Sequence, residues 1–496
     1  MVPESIAMTA RLTTIFVVIA SLNASAAAGG ANLQASLQPP AWDAGLKLPE
    51  ARDLNPDPRV LEIAIEARIA TVEIAPGVRV DAWTYNGGVP GPLVRLRVGE
   101  RLVVHFTNTL PQPTTIHWHG LRIPIQMDGV PGHSQPEVQP GGSFTYDFIV
   151  PDAGLFWYHP HVMSAAQVGF GLYGALLVDD PEERIGVPDE LVLVLSDLSI
   201  GGDRQLESPE SGGTMGMVFG REGNRVLVNG RERPQLIVRS GAPQRWRIVN
   251  AAKSRYFNLF LGEVRFTIVG GDGGLIEHPV EDDRVVLATG ERVDVIVTPR
   301  GAPDSELILQ SRLYNRGYGS VEFREEPELM AIRFAGGPAH VGGPPPRPSR
   351  TIAPLSIEGA TPITINLTLE KKSTDEYVFG INGVPFAHEK PLHAKVGETQ
   401  IWTVKNTTKW SHPFHLHGFF FQVLDDRGAP VRPIAWKDTV DVPLEKSVTL
   451  AVRFDGRPGH WMYHCHILDH ADGGLMGFVH VEDETPRPHT DRDRQR

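Results

Sequence analysis

The chain has 496 residues, 41% hydrophobic and 21% charged, with a formal net charge of −12. That length is too great for one ordinary core and suits about three domains, and the acidic balance excludes a basic surface for nucleic acid or an anionic membrane. The 51 Gly and 42 Pro punctuate many short Val/Ile/Leu/Thr runs, a pattern that predicts an all-β protein.

The first predicted element is an export signal over residues 1–28. Arg11 precedes the apolar run Leu12–Leu22, and Ala24-Ser25-Ala26 offers a small-residue cleavage site. The run is too short for an ordinary membrane span, so no integral span is expected after its removal. Glu4 weakens the charged start, and a start at Met8 would leave a cleaner signal; the plainer alternative is an unstructured tail. The expected location is periplasmic or secreted, and the expected state a monomer. The single Cys rules out an internal disulfide, so its retention points to chemistry or deep burial.

A unit then recurs along the chain. From Gly99, Asn108 lies at +9, His117 and His119 at +18 and +20, and Gly120 at +21; Asn406, His415, His417 and Gly418 keep these offsets from Gly397. A middle copy starts at Gly241, with Asn250 at +9 and Gly262 at +21, but Leu259 and Leu261 occupy the His positions. A second element also repeats: Gly154-Leu155-Phe156-Trp157-Tyr158-His159-Pro160-His161 parallels Gly459-His460-Trp461-Met462-Tyr463-His464-Cys465-His466, so Cys465 takes the place of Pro160. The repeats set predicted domains at 50–182, 188–336 and 351–484, with Gly336–Arg350 as an extended linker and a charged tail after Glu482. Alternating runs such as Leu102-Val103-Val104-His105-Phe106 suit Greek-key β-sandwiches.

Ten of the 19 His fall in four short clusters: His117/His119, His159/His161, His412/His415/His417 and His464/His466/His470. On a strand, residues two apart share a face roughly 6.5–7 Å from one another, so a His-x-His pair can address one metal or straddle two. Four such pairs, two from each terminal domain, would build a shared cluster where the domains meet. Cys465 would point to the opposite face from His464 and His466, and with His412 and His470 makes the two-imidazole, one-thiolate set of a blue-copper site. A lone His-x-His pair is more often incidental, and His-Cys-His alone could be a zinc site. Four clusters on one repeat favour copper. The other nine His, among them His105, His133 and His460, read as ordinary.

These motifs, His-Trp-His-Gly, His-Pro-His, His-Pro-Phe-His-Leu-His-Gly and His-Cys-His-Ile-Leu-Asp-His, resemble the multicopper oxidase family in its three-domain, laccase-like bacterial form. The resemblance covers nearly all of the chain past the signal and implies three consecutive cupredoxin-like Greek-key β-sandwich domains. It implies four copper ions. The type 1 copper would take His412, Cys465 and His470, the type 2 copper His117 and His415, and the type 3 pair His119, His159, His161, His417, His464 and His466. Leu475, ten after the Cys, occupies the axial position, while strand alternation turns Met476 away unless a bulge rotates it inward; a high potential is expected. Asp128 matches an acidic position near the type 2 copper and would orient water and relay protons, its plain alternative being a β-turn Asp before Gly. Ala471 stands where many bacterial relatives carry Glu, and Asp469 and Asp472 are candidate substitutes.

The implied activity is dioxygen reduction to water, with a phenol or aromatic amine as electron donor. A metallo-oxidase acting on Cu(I), Mn(II) or Fe(II) is the first alternative. Its cuprous form should show clustered Met, and among the seven past the signal Met215/Met217 is the one close pair. A non-enzymatic copper-binding envelope protein is the second, which should have lost ligands as the middle repeat has. Ser208–Gly223 and Tyr314–Glu326 are candidate donor-pocket loops beside His470.

Overall fold

The computed structural model describes residues 46–183, 185–317, 326–336, 350–373 and 376–483. The predicted export signal, most of the linker, the tail from 484 and most of the 314–326 loop lie outside the described residues. Among the described residues the strands form six sheets. The period-two reading is visible in the strand Arg101–Asn108, where Leu102, Val104 and Phe106 are buried and Arg101 and His105 are exposed.

Each repeat builds the same pair of sheets. In the first sheet an opening strand runs parallel to the strand that carries the repeat: Val60–Ala75 beside Arg101–Asn108, Asp189–Leu198 beside Gln244–Asn250, and Thr361–Lys371 beside Thr399–Asn406. The recurring Asn ends that strand each time, opposite Ala67, Leu195 and Leu367. Its side chain does one job in all three. Asn108 accepts from Leu110 N and donates to Gln112 O and Val138 O; Asn250 accepts from Ala252 N and donates to Arg255 O and Leu287 O; Asn406 accepts from Thr408 N and donates to Trp410 O and Val442 O. A buried amide thus pins the turn to a distant strand, and leaving those carbonyls unpaired costs about 1–3 kcal/mol each. This is the physical reason for the shared +9 offset.

Three apolar cores fill the three sheet pairs. Leu259 and Leu261 of the middle repeat are fully buried in its core, so side chains that replace His serve packing. A fourth apolar layer joins the first and middle sheet pairs through Leu155, Trp157, Leu177, Val192, Val194 and Val249. Each such buried Val or Leu contributes about 1.5–3 kcal/mol, which holds the two sheet pairs together.

Six strands and three helices position the site: β1 (His117–His119), β2 (Gly154–His159), β3 (Leu392–Lys395), β4 (His412–Leu416), β5 (Gly459–Cys465) and β6 (Met476–Glu482), with α1 (Ser164–Gly169), α2 (Gly213–Phe219) and α3 (Leu468–Asp472). β1 pairs with β2 so that His117 faces His159, and β4 pairs with β5 so that His415 faces His464. On β5, Trp461, Tyr463 and Cys465 belong to the last core, whereas Met462 packs in a separate apolar cluster on the other face.

Candidate metal centres

Eight histidines from the first and last sheet pairs meet in one buried cage. Rings from opposite ends of the chain stack: His119 on His415 at 3.8 Å and His117 on His417 at 3.9 Å. Ligand nitrogens converge within 4.8 Å of one another in His117/His415/His417, in His117/His119/His159 and in His161/His417/His464. His466 completes the ring, 4.9 Å from His119 and 5.5 Å from His159 between centroids.

The outer nitrogens are tied down, which sets the tautomers. His117 Nδ1–H donates to Asp128 O at 2.7 Å and His415 Nδ1–H to Asp438 O at 2.9 Å. His417 Nδ1–H donates to Asp128 Oδ2 at 2.8 Å, and His119 Nε2–H to Asp438 Oδ1 at 3.2 Å. His159 and His464 donate Nδ1–H to the carbonyls of Pro160 and Cys465. What is left is unpaired: His117 Nε2, His119 Nδ1, His159 Nε2, His161 Nε2, His415 Nε2 and both nitrogens of His466 are buried without a hydrogen-bond partner. His417 Nε2 and His464 Nε2, both lone-pair atoms in these tautomers, face each other at 3.1 Å. Buried polar atoms without partners each cost about 1–3 kcal/mol, and facing lone pairs repel, so this arrangement fits bound cations.

Two acids hold the cage with approximate two-fold symmetry. Each offers a backbone carbonyl to one His and a carboxylate to another. Gly129, at φ +81°, lets the Asp128 loop approach β1: a Cβ there would lie 1.9 Å from Ile116 O. Burial pushes the Asp128 carboxyl up, but His417 and His117 outweigh it and hold it below the usual carboxylate range. Burial also opposes ionisation of Asp438, yet Arg292 beside it keeps that carboxyl well below the usual range. Arg292 comes from the middle sheet pair and binds Asp438 in a fork, Nη1 to Oδ1 at 2.7 Å and Nη2 to Oδ2 at 2.5 Å, while donating to Leu155 O, Gly290 O and Asp272 O. Gly290 packs on the cage itself, where a Cβ would lie 2.9 Å from the His466 ring and 3.1 Å from His119. The ligand-poor middle unit therefore walls and orients the cage.

The second centre lies on the opposite side of β5. Cys465 Sγ is 3.4 Å from His412 Nδ1 and 3.6 Å from His470 Nδ1, and those two nitrogens are 3.1 Å apart. His412 Nε2–H donates to Thr408 Oγ1 at 2.7 Å, and His470 Nε2–H donates to Val218 O of α2 at 3.0 Å. All three side chains are fully buried. α3 begins just after β5 and swings His470 back over the thiol, with Phe379 stacked on its ring at 4.4 Å. Burial pushes the Cys465 thiol up, so only a bound cation would keep it as thiolate here. Burial also holds His119, His159, His161, His464, His466 and His470 well below the usual imidazole range, and His412 and His417 at about 3, which keeps these imidazoles neutral.

Every predicted ligand position thus falls in one of two clusters. Leu475 is fully buried in the core of Cys465, with its carbonyl accepting Cys465 N–H at 3.0 Å. Met476 packs with Val130, Met462 and Phe478 on the other face, as alternation predicts. Asp469 is ion-paired with Arg221 and Asp472 accepts Ala165 N–H of α1, so both fasten α3 to neighbouring elements. The repeat offsets missed Asp438. Its sequence signal is Asp438-Thr439-Val440, which matches Asp128-Gly129-Val130 at a longer spacing from the His-x-His-Gly motif. Arg292 carried no sequence signal.

Three multicopper oxidase family models match residues 66–183, 189–320 and 358–485. The chain is 33% identical to the multicopper oxidase MmcO of Mycobacterium tuberculosis, over 80% of this chain and 83% of that relative. It is 28% identical to a laccase of Bacillus subtilis, over 81% and 90%. A solved multicopper oxidase of Campylobacter jejuni, described as a metallo-oxidase, superposes with a TM-score of 0.78 at 28% identity, covering 92% of this chain and 98% of that one.

Proposed function

The chain belongs to the multicopper oxidase family, and on that premise we propose that it couples one-electron oxidation of phenols or aromatic amines to reduction of dioxygen to water. It is a copper-dependent oxidoreductase with dioxygen as acceptor and a reducing substrate as donor. In our reading His412, Cys465 and His470 hold the type 1 copper, with Leu475 in place of an axial ligand. His117 and His415 hold the type 2 copper; His119, His159, His161, His417, His464 and His466 hold the type 3 pair. Bound there, four coppers would supply the redox chemistry, single-electron acceptance at the thiolate and four-electron delivery in the cage.

The observation that carries the reading is the double use of β5. Cys465 faces the His412–His470 pair, while His464 and His466 on either side of it face the cage. The route between the two sites is the backbone of one residue, shortened by the His464 Nδ1–H bond to Cys465 O at 2.9 Å. Asp128 Oδ2 accepts the Nδ1–H of His417 at 2.8 Å and its Oδ1 lies 3.4 Å from His117 Nδ1, so this carboxylate steadies two rings at the cage edge, where it would orient water and relay protons. Neutral, fixed imidazoles keep the ligand atoms aimed without rearrangement.

A second reading, metal-ion oxidation, has one observation in its favour. His470 Nε2–H is capped by Val218 of α2, and that helix also bears Met215, exposed, and Met217. A donor would then deliver electrons across α2, and the C. jejuni neighbour is described as a metallo-oxidase. We further infer export, on the strength of the Arg11–Ala26 segment, and propose a monomer with three domains at 50–182, 188–336 and 351–484. Among the described residues no helix is long and apolar enough to cross a membrane. Oxygen uptake by copper-loaded protein with a phenol, Mn(II) and Cu(I) in parallel tests the readings. Fast uptake with the phenol alone supports the first, fast uptake with a metal ion alone replaces it with the second, and no uptake with any donor overturns both.

A further inference from the structure

Four histidines outside the two centres gather at the outer end of the β5–β6 face. His480 is the middle rung: it lies directly opposite His460 across the antiparallel β5–β6 pair and directly opposite His393 across the parallel β3–β6 pair. The ring of His480 is 4.3 Å from that of His460 and 5.8 Å from that of His393, between centroids. From the first sheet pair, His133 reaches over the same face and packs against Phe478, tilted, with ring centroids 3.9 Å apart. Glu482 Oε1 lies 3.4 Å from His393 Nδ1. His480 Nδ1 is buried and has no hydrogen-bond partner.

Directly opposed residues place their Cβ atoms about 4.5–5.5 Å apart, a span over which two imidazoles can grip one ion. Burial, His480 and His393 hold His460 below the usual imidazole range, and burial and His460 do the same for His133, so the rings offer lone pairs rather than charges. His393 and His460 are exposed, so a metal ion from solvent can reach their rings.

We propose that His393, His460 and His480, with His133 at their edge, form an accessory site for a late first-row divalent cation, Cu2+ before Zn2+ or Ni2+. The ligand class follows from an all-imidazole set with one adjoining carboxylate, and the order from the rising affinity of such sites toward Cu2+. The site stands on the ligand-bearing face of β5: inward from His460 come Met462 opposite Phe478, then His464 opposite Met476. Four residues at about 3.3 Å each separate it from the cage by roughly 13 Å, so it is a distinct centre.

The test uses copper-loaded holoenzyme, titrated with Zn2+ alone and with Cu2+ alone. Calorimetry and metal analysis should find one further ion per chain while resident copper is retained. Added Cu2+ should give an electron paramagnetic resonance signal split by imidazole nitrogens. His480→Ala and His460→Ala should each weaken binding at least ~10-fold, since even outer-shell partners of a ligand matter by 10–100-fold. Their blue band, thermal transition and phenol turnover should match wild type. Should His480→Ala fold poorly, the exposed His460→Ala and His393→Ala carry the test. Absence of the extra ion in wild type, or equal binding by wild type and the variants, would overturn the site.

Discussion

Replacing Arg292 with Met tests whether the middle unit organises the cage. Arg292 is fully buried and supplies both hydrogen bonds of the fork to Asp438. Removing one partner of a buried pair costs about 3–5 kcal/mol, because the other charge is left stranded. Asp272 keeps Lys437 at 3.1 Å, but Asp438 has no second cation among its hydrogen-bonded partners in the described residues. Its carboxyl should then take up a proton, and its grip on His119 Nε2–H weakens. Loss of such a support lowers metal affinity by about 10–100-fold. The expected phenotype is therefore specific. Arg292→Met keeps the blue band of the Cys465 centre but needs at least ~10-fold more free copper to fill the cage. Copper content in a buffered copper series, read with the blue band and the type 2 paramagnetic signal, measures this. Arg292→Lys should recover part of the loss, since it restores charge without the fork. If Arg292→Met fills the cage within about threefold of the wild-type copper concentration, the supporting role assigned to it is wrong.

Cys465→Ser should abolish the visible blue band and turnover while leaving copper in the cage, because the thiolate serves only one centre; surviving colour would refute the assignment. Leu475→Met should bring a thioether to the buried face beside Cys465 and lower the potential of that copper, as measured by redox titration; an unchanged potential would show that residue 475 does not approach the metal. The metal-free fold should lose stability in acid. His412 and His417 are held at about 3 against an ordinary 6.5, so only the unfolded chain binds those protons between these values. Their contribution is complete above pH 6.5 and is lost as pH falls toward 3; thermal unfolding of the copper-free protein across that range should show a falling transition temperature, and a flat profile would contradict it.

The two clusters of candidate ligands were legible before any fold because strands have a period of two. His-x-His puts two imidazoles on one face, and His464-Cys465-His466 puts the thiol on the other. The repeat offsets could likewise be read as structure, since Asn108, Asn250 and Asn406 close the same turn in three places. Leu259 and Leu261 marked the middle copy as ligand-poor for an equally local reason, being core residues. What the middle copy does instead was not legible. Arg292 and Gly290 reach the cage only because the apolar layer of Leu155, Trp157 and Val249 seats one sheet pair against another. Asp438 acts through its position opposite Asp128, which an unequal loop length hides from any offset count. The capping of His470 by Val218 and the meeting of His393, His460 and His480 are of the same kind. Local periodicity assigns each side chain a face; which faces meet depends on packing between elements far apart in the chain, and that is decided only in three dimensions.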